Sequence, residues 1–376
     1  MGTPSRIAKG LDGVVVGRSS ISWVGGETGE LAYRGFDVRD LVPGLPYESI
    51  AHLLLLGEPP SSDPSPEVVH ALRNVPPVPE DVRAAVDAIP ARRSPMEALG
   101  TILSLLGEEG AGYPPSLEQG FRLIVRLPEL LARGVRRSGG LPPVPPRSDL
   151  SHAANYLWML RGEVPSPASV TALEGYLDLL ADHGMNASTF ALRVAISTQA
   201  DFFSAVCAAF ATLKGPVHGG APSRVSDMLD AIGTADRAEE WIRARLERRE
   251  ILYGFGHRAY KTEDPRGLSL HAIARAVADP ARFALAEAVE RTALRLLREA
   301  RPGARLFTNV EFYSAVVLEA VGLPRTLFTP TFAVARSVGW TAHALEQAAD
   351  NRLIRPDVEY AGPAPDRRWP RPIPRP

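Results

Sequence analysis

From Tyr47 onward, apolar residues recur at spacings of three and four, and proline or glycine cuts off almost every block. That pattern confines the chain to a helical architecture. "YESIAHLLLLGE", "VRAAVDAI", "PMEALGTILSLLG" and "GFRLIVRLPELLARG" each read as a helix. "SVTALEGYLDLLADHG" predicts a helix ending near Gly184, and "FFSAVCAAFATLKG" one ending near Gly215 and Pro216. "RAEEWIRARLERRE" is amphipathic and charged. "SLHAIARAVADPARFALAEAVERTALRLLREA" predicts two helices broken at Pro280, and "PTFAVARSVGWTAHALEQAAD" is apolar enough to be buried. The spacers "EPPSSDPSPE", "NVPPVPED" and "LPPVPPRSD" mark helix boundaries, because proline and the residue before it resist the α conformation. Only the opening departs. "GVVVG", "SSISWVGG" and "GELAYRGFD" mix β-branched and aromatic residues with glycine and predict short strands or a hairpin. The expected fold class is mostly all-α with a small N-terminal β element. The closing "PAPDRRWPRPIPRP" predicts a loose or surface-draped tail.

At 376 residues the chain exceeds one simple core and suits two domains, or one large domain with an insertion. The net charge of -1 leaves no global field to draw nucleic acid or an acidic membrane. No apolar run approaches the roughly 20 residues that span a bilayer. The first residues lack the apolar core of a signal peptide, so a cytoplasmic protein is expected. The single cysteine, Cys207, forms no internal disulfide, and its apolar neighbours predict a buried structural thiol.

Candidate chemistry concentrates in three of the eight histidines. His183 in "ADHGMNAST", His218 in "LKGPVHGGAP" and His257 in "LYGFGHRAYKTEDPRG" each fall where a helix pattern stops, beside glycine. Glycine lets a ligand approach the backbone closely, so a histidine there faces a cleft. Each alone also reads as an ordinary turn histidine; the three together point to a site. His52, His70, His271 and His343 lie in helical runs and look ordinary, and His152 looks like helix-start material. Nothing resembles H-E-x-x-H, G-x-S-x-G, Walker A or G-x-G-x-x-G. A catalytic zinc site built from the three scattered histidines is a minor alternative. Arg266, Arg336 and Arg355 each lie in motif-like or apolar surroundings. Such arginines pair either with an internal carboxylate or with a ligand's carboxylate.

The motifs "ADHGMNAST", "KGPVHGGA", "GFGHRAYKTEDPR", "NVEFYSA", "ARSVGW" and "IRPDVEYAG" occur in the order found in citrate synthases. The chain resembles that family over nearly its full length. The resemblance implies a two-domain, nearly all-α subunit. Residues 1–218 and 331–376 form the large domain and 219–330 the small one, with the active site in the cleft of a homodimer. It implies condensation of acetyl-CoA with oxaloacetate, with acetyl-CoA as co-substrate and neither cofactor nor metal. His218 then stabilises the enol and His257 polarises the ketone. His183, Arg266 and Arg336 hold oxaloacetate, Arg355 reaches in from the partner subunit, and Lys261 lies near the CoA phosphates.

The base falls on Glu311, where the family usually has aspartate. On the residues alone, Glu311 also reads as a charge in the first turn of a helix capped by Asn309. An extra methylene moves the carboxylate by roughly an ångström, a displacement that costs about 100-fold when uncompensated. Pro222, Ala315 and Ala259 replace the family's usual asparagine, glycine and Val or Ile. The combination "HGGAPSRV" with "NVEFYSAVVLEA" resembles a branch labelled citrate synthase 2, in which the glutamate is native. The competing expectations are a 2-methylcitrate synthase using propionyl-CoA, and a catalytically weak paralogue that binds CoA or citrate. A metal-dependent hydrolase is the most distant.

Overall fold

The computed structural model describes residues 7–107, 112–216 and 218–363. Three short antiparallel strands open it: β1 (Ser22–Gly25), β2 (Glu30–Tyr33) and β3 (Phe36–Asp37), in that order across the sheet. Ser22 pairs with Tyr33 and Trp23 with Ala32. The predicted strand at "GVVVG" is absent: Val14, Val15 and Val16 are exposed, and no strand pairs with them among the described residues. β-Branched composition suits a strand but cannot make one without a partner edge. Of the Pro/Arg tail, residues 364–376 lie outside the described residues.

Helices follow almost without interruption. The first group is α1 (Val38–Leu41), α2 (Tyr47–Leu56), α3 (Pro66–Arg73), α4 (Glu80–Asp87), α5 (Pro95–Leu105) and α6 (Leu117–Ser138). Then come α7 (His152–Arg161), α8 (Pro167–Leu180), α9 (Ala187–Ser197) and α10 (Phe202–Leu213). The rest are α11 (Ala221–Ile232), α12 (Ala238–Glu247), α13 (Pro265–Val277), α14 (Pro280–Ala300), α15 (Val310–Ala320) and α16 (Phe328–Ala349). Prolines start many of them, as at Pro66, Pro95, Pro167, Pro265 and Pro280, where a missing N–H costs nothing. Ser94 and Ser116 close capping boxes with Glu97 and Gln119.

The core is organised around α16, buried from Pro330 to Ala344 and packed against α2, α6, α8 and α9. Gly339 on α16 touches the end of α8: its N–H donates to the Ala181 carbonyl at 3.2 Å, and a Cβ there would lie 2.3 Å from that oxygen. This close approach fixes the turn that carries His183. Helix α8 stops at Leu180, four residues before the predicted end at Gly184. The buried Tyr33 hydroxyl ends it, donating to the Asp178 carbonyl at 2.9 Å and accepting from the Asp182 N–H at 3.3 Å. Cys207 is half-buried rather than buried. The core face of α10 is filled by Phe203, Val206, Ala209 and Phe210, which leaves the thiol at its margin. No helix among the described residues is long and apolar enough to cross a membrane.

Candidate active site

Six of the eight predicted site residues converge. His183, on the α8–α9 turn, lies edge-on to His257 with ring centroids 5.3 Å apart. Tyr260 joins them, its ring 4.9 Å from that of His257 and its hydroxyl 3.1 Å from His183 Nε2. Arg266 reaches the same point, with a guanidinium nitrogen 3.5 Å from His257 Nε2. On the other flank, Arg336 lies 4.8 Å over the Phe332 ring, and His218 packs edge-on to that ring at 6.2 Å. Glu311, at the start of α15, feels the field of Arg266. Two residues stay outside. Lys261 is exposed, its Nζ donating to the Arg258 carbonyl at 3.3 Å. Arg355 is exposed too, with Asp357 4.0 Å away.

The hydrogen bonds settle which nitrogen of each key histidine carries the proton. His257 Nδ1 accepts from the backbone N–H groups of Ala259 (3.0 Å) and Tyr260 (3.2 Å), so a neutral ring holds its proton on Nε2. That proton points towards Arg266, and two converging donors suit an acceptor oxygen of a ligand. His218 Nε2 accepts from the Ser188 backbone N–H at 3.3 Å, which leaves Nδ1–H as its free donor. Both rings are neutral at pH 7, because burial lowers each pKa to about 4 and the charges of Arg266 or Arg336 oppose a second cation. His183 is lowered further by burial, with Arg266 and the other two histidines adding to the effect.

The two buried arginines differ. Arg266 is locked to Asp264, with Nε to Oδ1 at 3.0 Å and a second bond to Oδ2 at 2.8 Å, both side chains almost fully enclosed. Here the internal pair expected of an arginine in such surroundings is present. Arg336 donates to the Leu180 carbonyl at 2.7 Å and has no ion pair among the described residues. Burial lowers its pKa, only partly countered by the field of Asp182.

Glu311 is capped as the sequence predicts: Asn309 Oδ1 accepts from its N–H at 3.1 Å. Its carboxylate is nevertheless no solvated charge. Oε2 is enclosed and has no hydrogen-bond partner among the described residues. Burial raises its pKa to about 7 against the pull of Arg266. A carboxylate with that pKa is suited to proton transfer near neutrality.

Sequence reasoning missed several supports. Asp264 was visible only as part of "EDPRG", where it also caps α13. Tyr260 follows His257 by three residues and left no signal of its own. His343, read as ordinary, is fully buried: its Nε2 lies 3.2 Å from Asp182 and its Nδ1 accepts from Arg193 Nε at 3.0 Å. Arg193 also pairs with Glu346, while Asp182 Oδ2 accepts from Ser22 and from the Gly184 N–H. This network pins the His183 turn from behind.

A mostly helical scaffold that gathers two neutral histidines, an enclosed carboxylate of raised pKa and a buried arginine with no ion pair among the described residues defines an enzyme site for acid–base chemistry on an anionic substrate. The family model "Citrate synthase, C-terminal domain" matches residues 10–357. The citrate synthase of Mycolicibacterium smegmatis is 40% identical over 95% of this chain and 96% of that protein. Citrate synthase 2 of Bacillus subtilis is 39% identical over 94% of this chain and 96% of its own. The solved citrate synthase of the archaeon Thermoplasma acidophilum, a ternary complex with carboxymethyl coenzyme A and oxaloacetate, superposes with a TM-score of 0.89 at 27% identity, covering 97% of this chain and 98% of that one. The chain belongs to the citrate synthase family.

Proposed function

We propose that this protein condenses acetyl-CoA, oxaloacetate and water to citrate and free CoA, using Glu311 as base and His218 and His257 as hydrogen-bond donors. Ionised Glu311 removes a proton from the acetyl methyl while His218 Nδ1–H donates to the thioester oxygen, so that an enol rather than a free enolate forms. His257 Nε2–H polarises the oxaloacetate ketone. The enol carbon attacks the ketone carbon to give citryl-CoA, and water then cleaves the thioester. Arg336, Arg266 and His183 hold the oxaloacetate carboxylates; Arg336 is the one of the two arginines with no ion pair among the described residues. Lys261 serves the CoA phosphates, and Arg355 completes the site of a second subunit in a homodimer. Residues 219–330 act as a small domain that closes over the substrates and keeps water from the enol. The protein works in the cytoplasm, on acetyl-CoA as co-substrate and without cofactor or metal.

The observation that carries this reading is the enclosed Oε2 of Glu311, without a hydrogen-bond partner among the described residues, in the field of the same Arg266 that reaches His257. The test is CoA release by the purified protein, followed with a thiol reagent at fixed oxaloacetate. Acetyl-CoA is expected to turn over faster than propionyl-CoA. A preference for propionyl-CoA overturns the choice of acyl group, and no release with either overturns the reaction.

A further inference from the structure

We propose that Glu290, on α14, is a positioning residue that sets the reach of the Glu311 carboxylate by clamping the chain on both sides of it; this rests on the reading of Glu311 as the base. The two oxygens of Glu290 are used separately. Oε1 accepts from the Thr308 hydroxyl at 2.5 Å and Oε2 from the Tyr313 hydroxyl at 2.5 Å. Thr308 lies three residues before Glu311 and Tyr313 two residues after it, so one carboxylate spans the turn that presents the base. Both bonds are short and charge-assisted, the stronger class of protein hydrogen bond. Burial and the neighbouring Glu290 raise the Tyr313 pKa, which keeps its hydroxyl a donor.

The same turn is stitched to the loop that carries His257. Phe255 and Thr308 form an isolated β-bridge. Gly256 N–H donates to the Phe307 carbonyl at 2.7 Å, Asn309 N–H to the Gly254 carbonyl at 3.0 Å, and Asn309 Nδ2 to the Gly256 carbonyl at 2.9 Å. The Tyr313 ring stands edge-on to His271 at 4.8 Å and to Phe312 at 5.1 Å. Glu290 therefore anchors a unit that carries both the base and the histidine over the ketone. In a chain whose base is one methylene longer than aspartate, the position of that turn decides where the carboxylate ends. The titratable and charged groups facing Glu311 are Arg266, Asp264 and Tyr176; Glu290 acts through the backbone.

The test compares the wild type with Glu290→Gln and Tyr313→Phe by steady-state kinetics across pH, with thermal unfolding alongside. Glu290→Gln keeps the shape but cannot accept two charge-assisted bonds. We expect kcat to fall about tenfold, as for a displacement of under an ångström, with both KM values within about twofold. Loosening the turn admits water to Oε2, so the acid limb of the kcat profile moves below its wild-type position. Tyr313→Phe keeps the ring and loses one bond, with a loss of about threefold expected on the same grounds. Lower melting temperatures with unchanged kcat and unchanged acid limb overturn the proposal and leave Glu290 a stabilising residue. A wild type that releases no CoA instead overturns the reading of Glu311, which makes the two failures distinguishable.

Discussion

The regions around Arg336 and Arg266 solve one problem in opposite ways. Arg336 sits in the core on α16, donating to a carbonyl and lying over an aromatic ring, with the field of Asp182 but no ion pair among the described residues. Arg266 sits on α13 at the edge of the glycine-rich His257 loop, its charge matched by Asp264. A buried guanidinium without an ion pair is costly, and the field of Asp182 counters that only in part, so an arriving anion stabilises the α16 side. A matched pair is already satisfied, so the loop region can hold its geometry in the free protein. In the proposed reaction the difference divides the labour of the site: the core side supplies attraction for the dianion, and the loop side supplies pre-set chemistry through His257 and Glu311.

The harshest way to break that division is Glu311→Gln. Amide replaces carboxylate at nearly constant volume, and loss of a general base typically costs 10²- to 10⁴-fold, so kcat should fall about a thousandfold. Oxaloacetate affinity, measured calorimetrically, should stay within about twofold if the core side does the binding. A large loss of affinity would dissolve the distinction between the two regions.

The arginines themselves give the next contrast. Arg336→Met is expected to raise the KM for oxaloacetate by about 100-fold, the scale of a lost charge-assisted pair, while leaving the melting temperature of the free protein unchanged or higher. Arg266→Met strands a buried Asp264 and is expected to lower stability by about 3–5 kcal/mol, measured by denaturant unfolding. Equal destabilisation by both would show that Arg336 has a hidden partner.

His343→Gln probes the support behind the core side. Breaking its contacts with Asp182 and Arg193 is expected to cost about 1–3 kcal/mol in stability. Because those contacts hold the His183 turn, the KM for oxaloacetate should also rise about threefold to tenfold on the scale of a small misplacement. Steady-state kinetics and unfolding on the same preparation check both.

These regions were not equally legible in the sequence. Helices announced themselves through proline starts and apolar spacing, and the three histidines through their glycine neighbours. Glu311 could be placed by resemblance, yet its raised pKa could not, since enclosure depends on what packs over α15. The core-side supports were hidden for a geometric reason: Arg193 and His343 are 150 residues apart, and Asp182 meets Ser22 across 160. Local pattern carries no information on such pairs. "GVVVG" failed in the same way, because a strand needs a partner edge that its own residues do not encode.

The smallest expected effect is on stability across pH, where the histidines and Glu311 titrate in opposite directions. For His218 and His257 the folded pKa is about 4 and the reference 6.5, so between those values the unfolded chain binds more protons. Their contribution is present above 6.5 and lost as pH falls towards 4; His183, lowered further, acts the same way. Glu311 is raised from 4.5 to about 7, so the folded chain binds the extra proton. Its contribution is present below 4.5 and declines as pH rises through 7. Unfolding measured from pH 4 to 8 should therefore show stability rising from about 4 and levelling near 7, with Glu311 making the rise shallower between 4.5 and 7. In Glu311→Gln the rise should steepen over that window. An unchanged slope would assign the raised proton affinity to another group and leave Glu311 an ordinary ionised residue.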